Sequence, residues 1–146
     1  MKNKRAGKRF KNWKAPKLKD GQMTKWHWVV KGVKNFRLGR ETDIGAFTYI
    51  QADAGVTIGD HVEIGGGSLI YSISTIDHKR GPVNLMKNCR IGAHSTIMPG
   101  VTVGENAVIG AHSLVKNSIP ANTVAWGVPA KVMGKIVNGR VVLTGK

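Results

Sequence analysis

Residues 74–88 read STIDHKRGPVNLMKN, and within them Asp77, His78, Lys79 and Arg80 stand in a row beside the turn pair Gly81-Pro82. Imidazole is the side chain that gains or loses a proton near neutrality. His78 is therefore a candidate general base, able to take the proton of a hydroxyl or amine as that group reacts; the alternative is a solvated loop histidine. Asp53, in IQADAGVTIG, is a second candidate, because a carboxylate accepts hydrogen bonds from hydroxyl groups. It also reads as a turn aspartate. Asp77 adjoins His78 and is the weaker acceptor-binding candidate, since neighbours in extended chain face opposite ways. Cys89, the single cysteine, has no evident base beside it, and one cysteine excludes an internal disulfide and a multi-cysteine zinc site.

What holds these residues is a repeat of six. From Leu38 the chain writes LGRETD, IGAFTY and IQADAG, then after Val56-Thr57 IGDHVE, IGGGSL and IYSIST; it resumes as IGAHST, IMPGVT, VGENAV, IGAHSL and VKNSIP. Each hexad starts on an aliphatic residue. The fifth place is small or β-branched at Thr42, Thr48, Ala54, Val62, Ser68, Ser74, Ser95, Val101, Ala107 and Ser113. A period of six fits neither an isolated helix nor a simple alternating strand, so each hexad is expected to be a short strand plus a corner. Three sides then close an eighteen-residue triangular coil, with the aliphatic leads inside and glycine relieving the bends. The segment around His78 breaks this register: Ile76 to Ile91 is fifteen residues where two hexads take twelve, so a loop must project outward. Loops on rigid scaffolds carry sites disproportionately.

This repeat resembles that of the hexapeptide-repeat family over roughly residues 36 to 136. The resemblance implies an all-β fold, a left-handed parallel β-helix built from hexapeptide repeats, assembled as a homotrimer. Within that family STIDHKRGPV and the C-terminal stretch GVTVGENAVIGAHSLVKNSIPANTVAWGVPAKVMGKI are similar to the sugar O- and N-acetyltransferases. That likeness implies acetyl-CoA as co-substrate, a sugar or nucleotide-sugar acceptor, and His78 as the base. It further implies coenzyme A contacts at Ala93, Ala111, Lys116, Asn117 and Lys131, with Asp53 and Asp77 toward the acceptor. Lys116 and Asn117 stand where the family commonly has a TK pair.

Charge divides unevenly. Residues 1–40 hold fourteen Lys/Arg against Asp20, and residues 41–146 hold nine against seven acids, so a net charge of +15 sits almost wholly in the leader. Residues 1–25 read as a basic, irregular, mobile arm, either solvated or drawn to nucleic acid or an anionic membrane surface. Trp26 and Trp28 are expected to cap the open end of the helix. The resemblance implies a left-handed β-helix acyltransferase domain over residues 26–136 with a loop at 77–90, and 137–146 are expected to be a C-terminal tail. No apolar h-region follows the basic run, and WHWVV at 26–30 is too short to cross a bilayer, so a soluble cytoplasmic protein is expected.

Two rivals follow from the same residues. The gamma-class carbonic anhydrases share the fold and bind zinc through histidines, and His61, His94 and His112 all hold fourth places of their hexads. The close His pair of that pattern is missing, so no metal is expected. A non-catalytic trimeric scaffold presenting basic arms to polyanions is the other.

Overall fold

The computed structural model describes residues 9–144, and in it the repeat becomes three stacks of short parallel strands. The first face stacks Val29–Lys31, Tyr49–Gln51, Leu69–Tyr71, Thr96–Ile97 and Leu114–Val115. The second stacks Phe36–Leu38, Val56–Ile58, Val83–Leu85 and Thr102–Val103. On the third lie Asp43–Ile44, Glu63–Ile64, Arg90–Ile91, Val108–Ile109 and Thr123–Gly127. A chain that visits three faces in turn and pairs with itself one coil later is a β-solenoid of the left-handed β-helix type, as the hexads predict.

Side chains alternate across a strand, so each wall sends its lead residue inward. Val30, Ile50, Ile70, Ile97 and Val115 pair in sequence and form one interior column, each at most 1% exposed. Burying each such side chain contributes about 1.5–3 kcal/mol. Glycine in the second place of a hexad answers a different need from the one expected. A Cβ on Gly45, Gly65, Gly92 or Gly104 would lie 2.3–2.4 Å from the backbone nitrogen of Gly66, Ala93, Ala111 or Ala121 in the next coil. The coils touch there, and only a bare Cα fits. The bend itself falls two places later, at left-handed residues such as Phe47, His61, His94, Asn106 and His112 (φ 57 to 63°). At one such corner the Asn88 amide donates to Asn106 Oδ1 at 2.7 Å, and the Asn106 amide to Asn122 Oδ1 at 2.9 Å.

The coils are not all eighteen residues long. The pairings Val30 with Ile50, Ile50 with Ile70, Ile70 with Ile97 and Ile97 with Val115 give coils of 20, 20, 27 and 18 residues. The two early coils spend their extra residues on the corner between the first and second faces, where Val33–Asn35 makes a turn of 3-10 helix. The third coil spends far more there. The excursion runs from Ser72 to Pro82 rather than over 77–90: Ile73–Ser74 leaves the wall, and Val83–Leu85 has already rejoined it. Ile76 is accordingly no wall residue and is 95% exposed. LMKNCR, residues 85–90, is a hexad that the sequence hides, led by buried Leu85 with buried Cys89 in its fifth place.

Residues 9–25 are laid against the first coil, which departs from the mobile arm expected; residues 1–8 of that arm lie outside the described residues. The Trp13 indole N–H donates to the Thr42 carbonyl at 3.0 Å. Arg9 pairs with Asp43 and Glu63. The Asp20 carboxylate accepts the amide N–H groups of Gly32 and Val33 at 2.6 and 2.9 Å. Of the two capping tryptophans, Trp28 is buried in the core and Trp26 is half exposed under Lys25. At the other end the tail expected over 137–146 is partly a strand: Ala130–Val137 folds back on Thr123–Gly127, and Arg140–Leu143 pairs with it. No helix among the described residues is long and apolar enough to cross a membrane.

Candidate active site

The excursion is a β-hairpin. Ile73 pairs with Arg80 and Ser74 with Lys79, leaving residues 75–78 as its tip. Its foot is fixed between coils: the Gly81 N–H donates to the Ser72 carbonyl at 3.0 Å, the Gly100 N–H to the Gly81 carbonyl at 3.2 Å, and the Val83 N–H to the Gly55 carbonyl at 3.0 Å. His78 stands at the tip, exposed, with φ 55°, a conformation histidine tolerates better than bulkier residues. Beside it, the Asp77 carboxyl is held below the usual carboxylate range, first by a hydrogen bond from the Ser74 hydroxyl and then by the backbone N–H of Lys79. Lys79 Nζ lies 3.6 Å from Asp77. Asp77 is thus engaged in shaping the tip.

Asp53 lies on the same edge of the prism, at the corner below the hairpin foot. Its carboxylate accepts from the Gln51 side-chain amide at 2.6 Å, and Gln51 Oε1 accepts from the Ser72 hydroxyl at 2.8 Å. The two readings of Asp53 therefore meet in one residue, a corner aspartate whose carboxylate borders a groove of about 480 Å³. Lys34, Arg37, Arg80 and Pro82 line that groove too. The three cations were not singled out in the sequence as a group, because only the coil geometry brings residues 34, 37 and 80 together. A larger groove of about 740 Å³ lies under the N-terminal segment, between Phe10, Trp13, Lys14 and Trp28. It contains none of the candidate residues.

The five residues assigned to coenzyme A divide between two edges. Ala93 and Ala111 stack one coil apart at the corner joining the third face to the first, next to Gly92. Lys131 is paired with Trp126, whose Cβ is 2.8 Å from where a Cβ of Gly110 would stand, so it belongs to this edge as well. Lys116 and Asn117 follow Val115 on the opposite side of the first face, on the edge that carries Asp53 and the hairpin, and both are exposed. Small side chains along one edge let an extended ligand lie against the backbone, and exposed lysines offer point charges to phosphates.

The histidines of the zinc rival are split. The His94 and His112 rings stack with centroids 5.1 Å apart, whereas His61 lies on another corner with Nδ1 3.1 Å from Glu41. Among the described residues no three His, Cys, Asp or Glu side chains gather around one point. Cys89 is buried in the core, and that burial pushes its thiol up to about 12.

A parallel three-faced solenoid with coil-to-coil glycine contacts and one hairpin on its edge defines a hexapeptide-repeat protein, and residues 82–117 match the family model described as bacterial transferase hexapeptide (six repeats). The match covers about a quarter of the chain, and the chain is similar to galactoside and maltose O-acetyltransferases. It is 40% identical over 111 residues to the galactoside O-acetyltransferase of Escherichia coli strain K12, a match covering 70% of this chain and 55% of that protein. Among solved structures, it is similar to a hexapeptide-repeat acetyltransferase of Vibrio cholerae complexed with acetyl coenzyme A (TM-score 0.71, 28% identity, 76% of this chain and 66% of that one). A maltose O-acetyltransferase of Clostridium difficile 630 gives TM-score 0.70 at 30% identity, over 77% of this chain and 65% of that one. The chain thus spans little more than half the length of its curated E. coli relative.

Proposed function

We propose that this chain transfers an acetyl group from acetyl-CoA to a hydroxyl or amine of a sugar or nucleotide-sugar, as a homotrimer, with His78 as general base. The observation that carries this reading is the hairpin, which lifts an exposed imidazole off a rigid edge that also presents Asp53. The neutral His78 ring takes the proton of the acceptor as its oxygen or nitrogen attacks the thioester carbonyl. The proton then passes to the departing thiolate, so base and acid are the same residue and no acyl-enzyme is needed. A base so placed contributes on the order of 10²–10⁴ in rate. Holding both reactants against it contributes the rest.

The division of the cofactor residues between two edges supports a site shared between copies. Ala93, Ala111 and Lys131 of one prism, set against the hairpin edge of its neighbour, would surround one coenzyme A, with Lys116 and Asn117 supplied from the neighbour's edge. Ile76, 95% exposed on the hairpin tip, gives that hairpin an apolar end to seat on a second copy. A second reading, contact with nucleic acid or an anionic membrane through residues 1–25, has support in Lys11, Lys14, Lys17 and Lys19. All four are exposed and none forms an ion pair among the described residues.

The test is thiol release from acetyl-CoA by the full chain across neutral sugars, amino sugars and nucleotide-sugars. Release dependent on one acceptor class supports the reading. A folded trimer that releases thiol with none of them, yet retains an anionic polymer with steep salt dependence, would favour the scaffold.

A further inference from the structure

We infer that the acceptor carries an anionic group, a phosphoryl or a carboxylate, which docks between Lys34, Arg37 and Arg80 at the foot of the hairpin. The inference rests on the acetyltransferase reading and narrows its acceptor.

The groove there is about 480 Å³ and belongs to three successive coils, with Lys34 and Arg37 from the first, Asp53 from the second and Arg80 from the third. Asp53 is the one carboxylate in its lining, and its Oδ2 is engaged by Gln51 at 2.6 Å. Among the described residues none of the three cations makes an ion pair. Asp20 lies near enough to Lys34 to feel its charge, but its carboxylate is bound to the Gly32 and Val33 amides. The only side-chain hydrogen bond of Arg37 among the described residues is a long one, 3.5 Å, to the Phe36 carbonyl. Three cations converging on one concavity repel one another and raise the local concentration of anions. Two of them are guanidinium groups, whose planar fork fits phosphate or carboxylate oxygens in pairs.

Position connects this charge to the reaction. Arg80 sits at the foot of the hairpin opposite Ile73, and the hydrogen bonds of Gly81 to Ser72 and Gly100 fix its backbone. His78 is two residues back along the chain, at the tip that leads into the strand Lys79–Arg80, so two peptide units keep the backbones of His78 and Arg80 within about 7 Å of each other. An anion held at the foot therefore leaves a sugar hydroxyl or amine within a monosaccharide's reach of the imidazole. Lys79, between them, is turned to Asp77.

The experiment uses the full chain, saturated with coenzyme A so that phosphate sites for the donor are filled. Inorganic pyrophosphate and glucuronate are titrated by calorimetry into the wild type and into Arg37→Gln/Arg80→Gln, with Arg37→Lys/Arg80→Lys as the charge-preserving control. We expect one probe to bind. Its affinity should fall at least tenfold in the glutamine variant and as salt rises, and recover substantially in the lysine variant; which probe binds distinguishes phosphoryl from carboxylate acceptors. In parallel, acetyl transfer to an anionic acceptor should exceed transfer to its neutral parent at least tenfold in kcat/KM, and that ratio should collapse in the glutamine variant. Binding as described without transfer to any acceptor supports the anion site and removes the acetyltransferase reading. Transfer with no preference for anionic acceptors, and no binding of either probe, overturns the anion site and leaves the enzyme. A melting curve for each variant separates loss of binding from loss of fold.

Discussion

The point where a Cβ on Gly92 would stand lies 2.4 Å from the amide nitrogen of Ala111, one coil further on. Backbone rather than a flexible side chain occupies that space, so Gly92→Ala must push apart adjacent coils whose strands are hydrogen-bonded on both sides of the corner. Overpacking of this kind costs about 1–3 kcal/mol, and the melting temperature should fall accordingly. Ala93 and Ala111 flank the contact, so the same variant should also raise the KM for acetyl-CoA. An unchanged melting curve would show that the corner yields and the contact is soft.

Cys89 fills the fifth place of the hidden hexad and is fully buried, and its thiol is pushed up to about 12 by desolvation. The nucleophile is the thiolate, which is scarce at pH 8 for such a group. A disulfide reagent should therefore leave the native protein unlabelled for as long as it stays folded, and label one thiol per chain in denaturant. Rapid native labelling would expose Cys89 and reopen a role for it.

The aliphatic leads made the prism legible, because a period of six has one economical solution and the interior column is those leads. The hairpin was legible only as a break. Its boundaries were misplaced because IYSIST satisfies the hexad pattern while Ile73–Ser74 pairs instead with Lys79–Arg80, and a local pattern cannot show which partner a strand takes. LMKNCR was overlooked for the converse reason, since methionine, lysine and asparagine hide a lead and a corner that pack like the others. Residues 9–25 read as part of an arm on charge, sparse apolar residues and missing periodicity; what binds them is a few specific bonds, from Trp13, Asp20 and Arg9, to residues of the first coil and, for Arg9, Glu63 of the second. Such long-range pairs leave no periodicity to read.

Asp20 provides the pH test of that attachment. Its carboxyl is lowered chiefly by the Val33 and Gly32 amides, so the charged form is favoured in the folded state. The attachment is then at full strength above the ordinary carboxylate range, and weakens as pH falls through the depressed folded value. The fluorescence of Trp13, Trp26 and Trp28 should change below about pH 4, the region where free carboxylates protonate. In Asp20→Asn that acid transition should be missing, and limited proteolysis near residue 20 should be faster at neutral pH. Equal proteolysis of the two proteins would mean that Asp20 does not hold the segment.

Lys131 is exposed on the strand that caps the Ala93–Ala111 edge. A contact to a remote phosphate binds ground state and transition state alike, so Lys131→Ala should raise the KM for acetyl-CoA several-fold and leave kcat within about twofold. Unaltered KM would remove Lys131 from the site, and a selective loss of kcat would place it nearer the chemistry.

His78 bears on neither the interior column nor the Ala93–Ala111 edge: it stands on a hairpin tip outside the walls. His78→Ala should therefore keep the melting temperature, the oligomeric state and coenzyme A affinity of the wild type. Turnover alone should collapse, by about 10²-fold or more, because a positioned base is what the variant lacks. His78→Gln, which keeps a hydrogen-bonding side chain but cannot carry the proton, should be nearly as slow. Deleting the exposed Ile76 side chain should act differently, loosening the seat of the hairpin and raising acceptor KM more than it lowers kcat. Near wild-type transfer by both His78 variants, on an acceptor the wild type acetylates, would leave the hairpin as a lid and move the base elsewhere on this edge.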